Sequence, residues 1–441
     1  MRLLHTSDWH LGQTLHQFER RYEHEQFLDW LLATLIAEQV DALLIAGDIF
    51  DNANPAAAAQ ARFYRFLTEA RRQVPGLNIV IAAGNHDSPG RLEAPAPFLA
   101  LFEATVIGAV SRTEGAEEHE ASFDLERLRV PLRNRDGDIK AWCIAMPFLR
   151  PGDLPRQEDA ANPYAAGIEA LYQAAFAFVD SRREAGQAIV AMGHCHLSGG
   201  QVSEESERRI VIGGAEALSA SLFDPGIAYV ALGHLHLAQK VGQDNTRRYC
   251  GSPLPLSFSE INYPHQVLIV DLDGEVVRDI RELRVPRAVD FLRVPHHPAP
   301  IEQVIAELEA LVLPDRPEAE WPYLQVRIQL TQPEPGLRAR IEAALAQKPV
   351  RLAKIETTSA RPNPQETAAA SAMSIDDLNA LAPVDFFQRL YRHRFAEDAP
   401  SELLAAFSEL LHADPTALNL PLDACFNPQS TSSLDCKPAD G

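Results

Sequence analysis

The chain has 441 residues, enough for two or three domains. No apolar run approaches the ~18 residues of a membrane-spanning helix, and no secretory signal core follows the opening MRLLHTSD. The five scattered cysteines suit a reduced compartment, so a cytoplasmic enzyme is expected, while the net charge of −21 gives no basic footprint for binding nucleic acid unaided.

In chain order, RLLHTSDWH opens with a short apolar run and ends in Asp8, Trp9 and His10. YEHEQFLDWLLATLIAEQ places Phe27, Leu28, Leu31, Leu32, Leu35 and Ile36 at helical spacing. DALLIAGD then ends in Gly47 and Asp48, AAAAQARFYRFLTEARRQV reads as a second helix, and NIVIAAGNHD ends in Gly84, Asn85, His86 and Asp87. Continuous apolar runs of four or five residues, alternating with helices, predict strands of a parallel α/β sheet covered on both faces. AIVAMGHCH, ending in Gly193, His194, Cys195 and His196, repeats the pattern, as does VALGHLHLAQ with Gly233, His234 and His236. Taken alone, His234 and His236 are equally well a solvated strand end, since residues two apart share one side of a strand. Five such endings are different, because ligands in open α/β sheets bind beyond the carboxyl ends of the strands.

The pool is then Asp8, His10, Asp48, Asn85, His86, His194, His234 and His236, with His196 as a spare. One ion cannot use so many donors, whereas two ions sharing a bridging carboxylate can, an arrangement that serves phosphoryl transfer. Imidazoles mixed with carboxylate and amide oxygens suit manganese, iron or zinc better than calcium or magnesium. Without a C-x-x-C pair, a thiolate zinc site is not expected, and Cys195 reads as a small core residue.

The ordered set SDWH, GDIFD, GNHD, GHC and GHLH resembles the five-part motif of the calcineurin-like metallophosphoesterases. The flanking HTSDWHLG, GNHDSPGRL and RYCGSPLPLSFSE narrow the resemblance to nuclease subunits of bacterial nuclease–ATPase complexes. It covers residues 1 to about 275 strongly and the remainder more loosely. The resemblance implies an α/β metallophosphoesterase sandwich with a small α/β capping domain and a helical C-terminal tail. It implies two divalent ions, manganese, one held by Asp8, His10, Asp48 and His236 and the other by Asp48, Asn85, His194 and His234. Asp48 would bridge them. His194 is favoured over His196 because it directly follows its glycine, as Asp48 and His234 do. His86 would be catalytic, contacting the scissile phosphate or protonating the leaving oxygen. Asp51 and Asp87 either orient neighbouring side chains or cap a helix or turn.

Past residue 275 the ligand-type clusters stop. LRVPRAVDFLRVPHH reads as extended chain, IEQVIAELEALVL and GLRARIEAALAQ as helices, and YLQVRIQLT and VRLAKIETT as strands. The expected domains are 1–275 for the nuclease, 276–361 for the cap, 362–373 for a linker, 374–426 for a partner-docking element and 427–441 for a disordered tail. In the docking element Phe386, Phe387, Leu390, Leu403, Leu404 and Phe407 supply apolar faces that either grip a coiled-coil ATPase or fold back on the nuclease domain. From Gln365 onward 12 acidic and 4 basic residues make the tail net −8, unsuited to DNA. No G-x-x-x-x-G-K-[ST] occurs, so ATP would enter through that partner. The expected activity is manganese-dependent DNA cleavage, exonucleolytic from 3′ to 5′ on duplexes and endonucleolytic on single strands and hairpins. DNA repair, recombination and replication are the expected settings, with a homodimer of this chain inside a heterotetramer. A small-molecule or cyclic-nucleotide phosphodiesterase is the competing enzyme, and a non-catalytic scaffold the competing non-enzyme.

Overall fold

The computed structural model describes residues 1–112, 123–155, 157, 160–201, 217–330 and 334–359, together with 384, 387–388, 391–392, 397–400, 403–404 and 407. The expected linker 362–373 and tail 427–441 lie outside them, as do Phe386 and Leu390.

Strand β1 (Arg2–Thr6) leads through a hairpin, β2 (Thr14–Leu15) and β3 (Phe18–Glu19), into helix α1 (Arg21–Ala37). β4 (Ala42–Ala46), α2 (Ala57–Gln73) and β5 (Asn78–Ala82) follow, then short helices α3 (Pro89–Glu93) and α4 (Ala96–Leu99) and strand β6 (Ala104–Ile107). Next come α5 (Leu125–Leu128), β7 (Arg129–Arg133), β8 (Ile139–Ala145), α6 (Pro163–Asp180), β9 (Ala188–His194) and β10 (Tyr229–Gly233). β11 (Gln239–Val241), β12 (Asp244–Tyr249), β13 (Gln266–Asp273) and β14 (Val276–Arg284) complete two six-stranded sheets.

The first sheet has the order β14-β13-β1-β4-β5-β6, with β1, β4, β5 and β6 parallel and the β13–β14 hairpin antiparallel at its edge. The second has the order β11-β12-β10-β9-β8-β7, with β8, β9, β10 and β12 parallel. Side chains alternate across each pleat. Leu3, Ala42, Leu44, Ala46, Val80 and Ala82 therefore face the second sheet and share a core with Val190, Met192, Val230 and Leu232. Leu4, Leu43, Ile45, Ile79 and Ile81 face the other way, against Phe27, Leu31 and Leu35 of α1 and Phe63, Phe66 and Leu67 of α2. The outer face of the second sheet is covered by α6, which starts at an Asn162 side chain accepting from Ala165 N at 3.0 Å, with proline at its first position. Ile168, Leu171, Tyr172, Ala175 and Val179 are its buried stripe. The expected metallophosphoesterase sandwich is present, and β14 carries its first sheet as far as Arg284.

Beyond the sandwich, β15 (Phe291–Ala299), α7 (Ile301–Ala310), β16 (Tyr323–Leu330), α8 (Leu337–Leu345) and β17 (Arg351–Ser359) reproduce the expected alternation. The three strands lie in the order β15-β16-β17. The chain divides into two compact units. The larger comprises residues 1–294, 307–326 and 342–355 and holds both six-stranded sheets. Its Leu15, Phe258, Val289, Phe291 and Tyr323 form a separate buried cluster. The smaller comprises 295–306, 327–341 and 356–441. In it Val304, Ile328 and Ile341 are fully buried, and Arg327 pairs with Glu356 at 2.9 Å. Also in the smaller unit, Phe387 stacks on Phe407 at 4.3 Å between ring centroids, Leu404 is half-buried and Leu403 is exposed. No helix among the described residues is long and apolar enough to cross a membrane.

Candidate metal centre

Every strand that contributes to the site ends at the same end of the sandwich. Asp8 follows β1, Asp48 follows β4, Asn85 and His86 follow β5, His194 closes β9, and His234 and His236 follow β10. Hydrogen bonds tie these endings together. Asp8 N donates to Gly47 O at 3.0 Å, and His10 N donates to Asp48 O at 3.0 Å. His234 N donates to the Asp8 carboxylate at 3.0 Å, and His86 N donates to Asp48 Oδ1 at 2.8 Å.

The local conformations are costly ones. Asp8 (φ 55°), His10 (46°), Asp48 (50°) and His234 (97°) are all left-handed, which costs a non-glycine residue about 1–3 kcal/mol at such sites. Two glycines make room for the turn. At Gly47 (φ 90°) a Cβ would strike the His194 ring, and at Gly233 it would strike the Ala46 carbonyl oxygen. Trp9 pins the first loop from behind. Its ring is fully buried, edge-on to Phe27 and Phe66 at 5.5 Å, and its indole N–H donates to Thr6 Oγ1 at 2.8 Å. Asp8 and His10, on either side of it, are thereby held together in the cluster.

The donors are buried: Asp8 is 0 % exposed, Asp48 and His194 2 %, and His234 5 %. Donor atoms group as Asp8–His10–His236, as Asp8–Asp48–His194 and as His10–Asp48–His86, each within 4.8 Å. Neither ring nitrogen of His10 has a hydrogen-bond partner; Asp51 Oδ1 lies 3.4 Å from Nδ1 and Asp48 Oδ2 3.7 Å from Nε2. Asn85 Oδ1 lies 3.0 Å from His194 Nε2 and 3.1 Å from His234 Nδ1. His196 is half-buried, its ring 6.4 Å from that of His234, and neither of these two belongs to a donor group found among the described residues.

Electrostatics agree with a cation site. Burial pushes the Asp8 carboxyl up. Burial opposes ionisation of Asp48 too, but the surrounding His194, His10 and His86 imidazoles hold it well below the usual carboxylate range. His194 is buried, yet the adjoining Asp48 carboxylate pushes it up to about 9. His234, by burial, falls well below the ordinary imidazole value. Two carboxylates out of reach of water need a counter-charge, and buried charges are paired or coordinate metals. Both His10 ring nitrogens are buried without a hydrogen-bond partner beside two carboxylates, so the donor set fits divalent cations.

The neighbours of this set are specific. Asp87 accepts from three backbone N–H groups, Gly84 at 2.9 Å, Phe50 at 3.0 Å and Ile49 at 3.2 Å, so it ties the two loops together. Burial and then the Asp48 charge push it up to about 6 against those three bonds. Asp51 faces His10 with its carboxylate and accepts from His86 Nδ1 at 2.7 Å through its carbonyl. Three further groups carry no role in the sequence reading. Ser7 Oγ donates to Asp8 Oδ2, Trp9 anchors the loop, and Glu260 accepts from His236 Nδ1 at 2.8 Å. Trp9 lies in view inside the D-x-H motif. Glu260 stands 24 residues from its partner, and although it closes the stretch RYCGSPLPLSFSE, nothing in that stretch ties it to His236.

Residues 1–238 match the family model of the calcineurin-like phosphoesterases, and residues 287–395 match that of the type 5 capsule protein repressor C-terminal domain. The chain is 42% identical over 392 residues to SbcD of nuclease SbcCD from Rhodobacter capsulatus, covering 88% of this chain and 93% of that one. The chain belongs to the SbcD family. A second SbcD, from Escherichia coli, is 31% identical over 93% of this chain and 98% of its own length. A third, from Bacillus subtilis, is 36% identical over 62% of this chain and 66% of its own length. Membership of the SbcD family and the donor cluster together make the chain a metal-dependent phosphodiester hydrolase.

Proposed function

We propose that the chain is a two-metal DNA nuclease subunit, manganese-dependent, that works with an SbcC-like coiled-coil ATPase in the repair, recombination and replication of DNA in the cytoplasm. The observation that carries the reading is the buried donor cluster around Asp8 and Asp48, set in a chain whose relatives are named as the SbcD part of nuclease SbcCD. Asp8, His10, Asp48 and His236 hold one ion in this reading, and Asp48, Asn85, His194 and His234 the other. When bound, such a pair supplies Lewis-acid stabilisation of the charge that develops in phosphodiester hydrolysis.

The chain's own residues divide the remaining work. The Asp51 carbonyl can only accept, so His86 carries its proton on Nδ1, and Nε2 is the basic nitrogen. That is the state from which an imidazole contacts a phosphate or, once charged, protonates the leaving oxygen. Asp87 keeps the His86 loop against the Asp48 loop. The acidic surface, net −21, suits a protein whose hold on DNA is shared with a partner.

In the same reading the strands and helices from residue 276 to 361 cap the site, and the segment 374–426 docks on the ATPase. A homodimer inside a heterotetramer is the assembly, duplex ends are cut from 3′ to 5′, and single strands and hairpins are cut internally. The test is digestion of an end-labelled duplex, a hairpin and a chromogenic phosphodiester by the purified chain, with and without manganese, the ATPase and ATP. Cleavage of the chromogenic ester with no cutting of any DNA overturns the proposal.

A further inference from the structure

His236 is 3 % exposed and its Nδ1 lies 2.8 Å from Glu260 Oε1. A carboxylate oxygen accepts, so Nδ1 carries the proton and the lone pair of Nε2 is left for the Asp8–His10–His236 donor group. Glu260 is itself fully buried, and its other oxygen accepts from Leu256 N at 2.7 Å. The turn that bears it, Phe258–Glu260, is held in several ways. Tyr263 N and His265 Nε2 donate to the Glu260 carbonyl at 2.8 and 3.1 Å. Phe258 packs edge-on against Phe291 at 5.2 Å, and Arg293 Nη2 donates to the Phe258 carbonyl at 2.5 Å.

A charged side chain is not kept in such a place by its solvation. Burying a carboxylate is unfavourable unless it is paired and hydrogen-bonded. Two of its hydrogen bonds go to the Leu256 N–H and to one imidazole of the metal centre, and the buried Arg20 guanidinium is within Coulombic reach. We infer that Glu260 is a positioning residue for metal binding. It fixes the tautomer and plane of His236, raises the basicity of Nε2, and so sets the affinity of the ion that His236 holds. Carboxylates behind metal-bound histidines act in this way generally, and their loss costs about 10–100-fold in metal affinity. A second consequence follows from the packing of the turn. Its hold comes partly from Phe291 and Arg293 of β15, so residues outside the two six-stranded sheets contribute to the geometry of one metal ligand.

The inference rests on His236 as a ligand, and the experiment separates the two claims. Metal-free full-length chain is titrated calorimetrically with manganese(II), comparing the parent with Glu260→Gln, Glu260→Ala and His236→Ala. Glu260→Gln keeps the shape but removes the charge, and its amide cannot serve both the imidazole and the Leu256 N–H as acceptor. It is expected to weaken one of the two manganese sites about 10–100-fold and to leave the other unchanged. Glu260→Ala should do so at least as strongly, and Glu260→Gln alone decides the matter if the alanine variant does not fold. His236→Ala should weaken the same single site. If His236→Ala binds two ions with parental affinity, the ligand reading has failed. If His236→Ala weakens one site and Glu260→Gln weakens neither, Glu260 does not position the ligand. Equal weakening of both sites, with a lower Tm of the metal-free protein, makes Glu260 a general structural residue and also overturns the inference.

Discussion

His194 Nδ1 lies 2.9 Å from the carbonyl oxygen of Ala46. The two residues end parallel strands in different sheets, so this bond closes the sandwich at the end where the metal centre is built. It also fixes the tautomer, because a carbonyl only accepts, and turns Nε2 toward Asn85 Oδ1 at 3.0 Å and Asp48 Oδ2 at 3.3 Å. One contact therefore serves both packing and ligand orientation.

The same closeness explains Gly233, whose missing side chain lets the Ala46 carbonyl approach. Gly233→Ala forces a methyl against backbone oxygen and should destabilise the metal-free protein by about 1–3 kcal/mol, the usual cost of overpacking. Chemical denaturation of the chelated protein measures this. An unchanged midpoint would mean that the sheets can part here without cost.

Asp48 Oδ2 lies 3.7 Å from His10 and 3.3 Å from His194, and Asp48 is the bridge in the proposed two-ion reading. Removing it should empty both ion positions rather than one. Elemental analysis of manganese-reloaded protein is expected to find close to two ions per chain in the parent and well under one in Asp48→Ala. Two ions still bound to the variant would remove Asp48 from the bridging position.

His86 shares a donor group with His10 and Asp48, so distances alone do not separate a ligand from a catalytic imidazole. Function separates them. His86→Ser should retain both ions and DNA binding while cleavage falls by roughly 10²–10⁴-fold, the range for general acid–base groups. Loss of an ion along with activity would make His86 a ligand.

Much of this centre was legible in the sequence because its chemistry is local. Each motif joins a buried apolar run to a polar ending, and strand, turn and ligand occupy fewer than ten consecutive residues. The structure brings Asp8, His10, Asp48, His86, His194 and His236 into shared donor groups and sets Asn85 within 3.1 Å of His194 and His234. His194 was preferred to His196 for its position directly after the glycine, and in the structure its Nδ1 lies 2.9 Å from the Ala46 carbonyl. Partners distant in sequence were not legible. Glu260 behind His236, and the Arg2–Asp271 pair across 269 residues, depend on which strands become neighbours. The passage from β13 to β14 was equally opaque, because the hairpin extends a sheet begun at residue 2.

The edge of the first sheet carries a pH-sensitive pair of ion pairs. Arg2 grips Asp271 through two bonds at 2.7 and 3.1 Å, and Arg281 donates to Glu38 at 2.5 Å. The hydrogen bond from Arg2 holds Asp271 below its ordinary value, and that from Arg281 does the same for Glu38. A carboxylate depressed in the folded state stabilises it fully above its unfolded pKa of about 4. That contribution disappears as pH falls through the lower, folded value. The Tm advantage of the chelated parent over a Glu38→Gln/Asp271→Asn double variant should therefore shrink from pH 6 toward pH 3. A constant difference across that range would show that neither pair is linked to folding.

The docking element permits a sharper test than truncation alone. Phe387 and Phe407 stack on each other at 4.3 Å, so changing either would damage the element itself. Leu403 is 40 % exposed, an apolar side chain of the kind that would meet a partner's groove if this segment docks as proposed. A coiled-coil ATPase supplies such a groove, and the net charge of −8 from residue 365 onward turns this segment away from DNA. Leu403→Asp should accordingly leave the helical content, manganese binding and single-strand cleavage of the isolated chain unchanged. Affinity for the ATPase should fall at least tenfold, and ATP stimulation of duplex cleavage should fall with it. Truncation before Met373 should abolish both while the remaining chain stays folded and active on single strands. If the truncated chain binds the ATPase with parental affinity, the dock lies elsewhere, and the strands and helices between residues 285 and 359 become the surface to search.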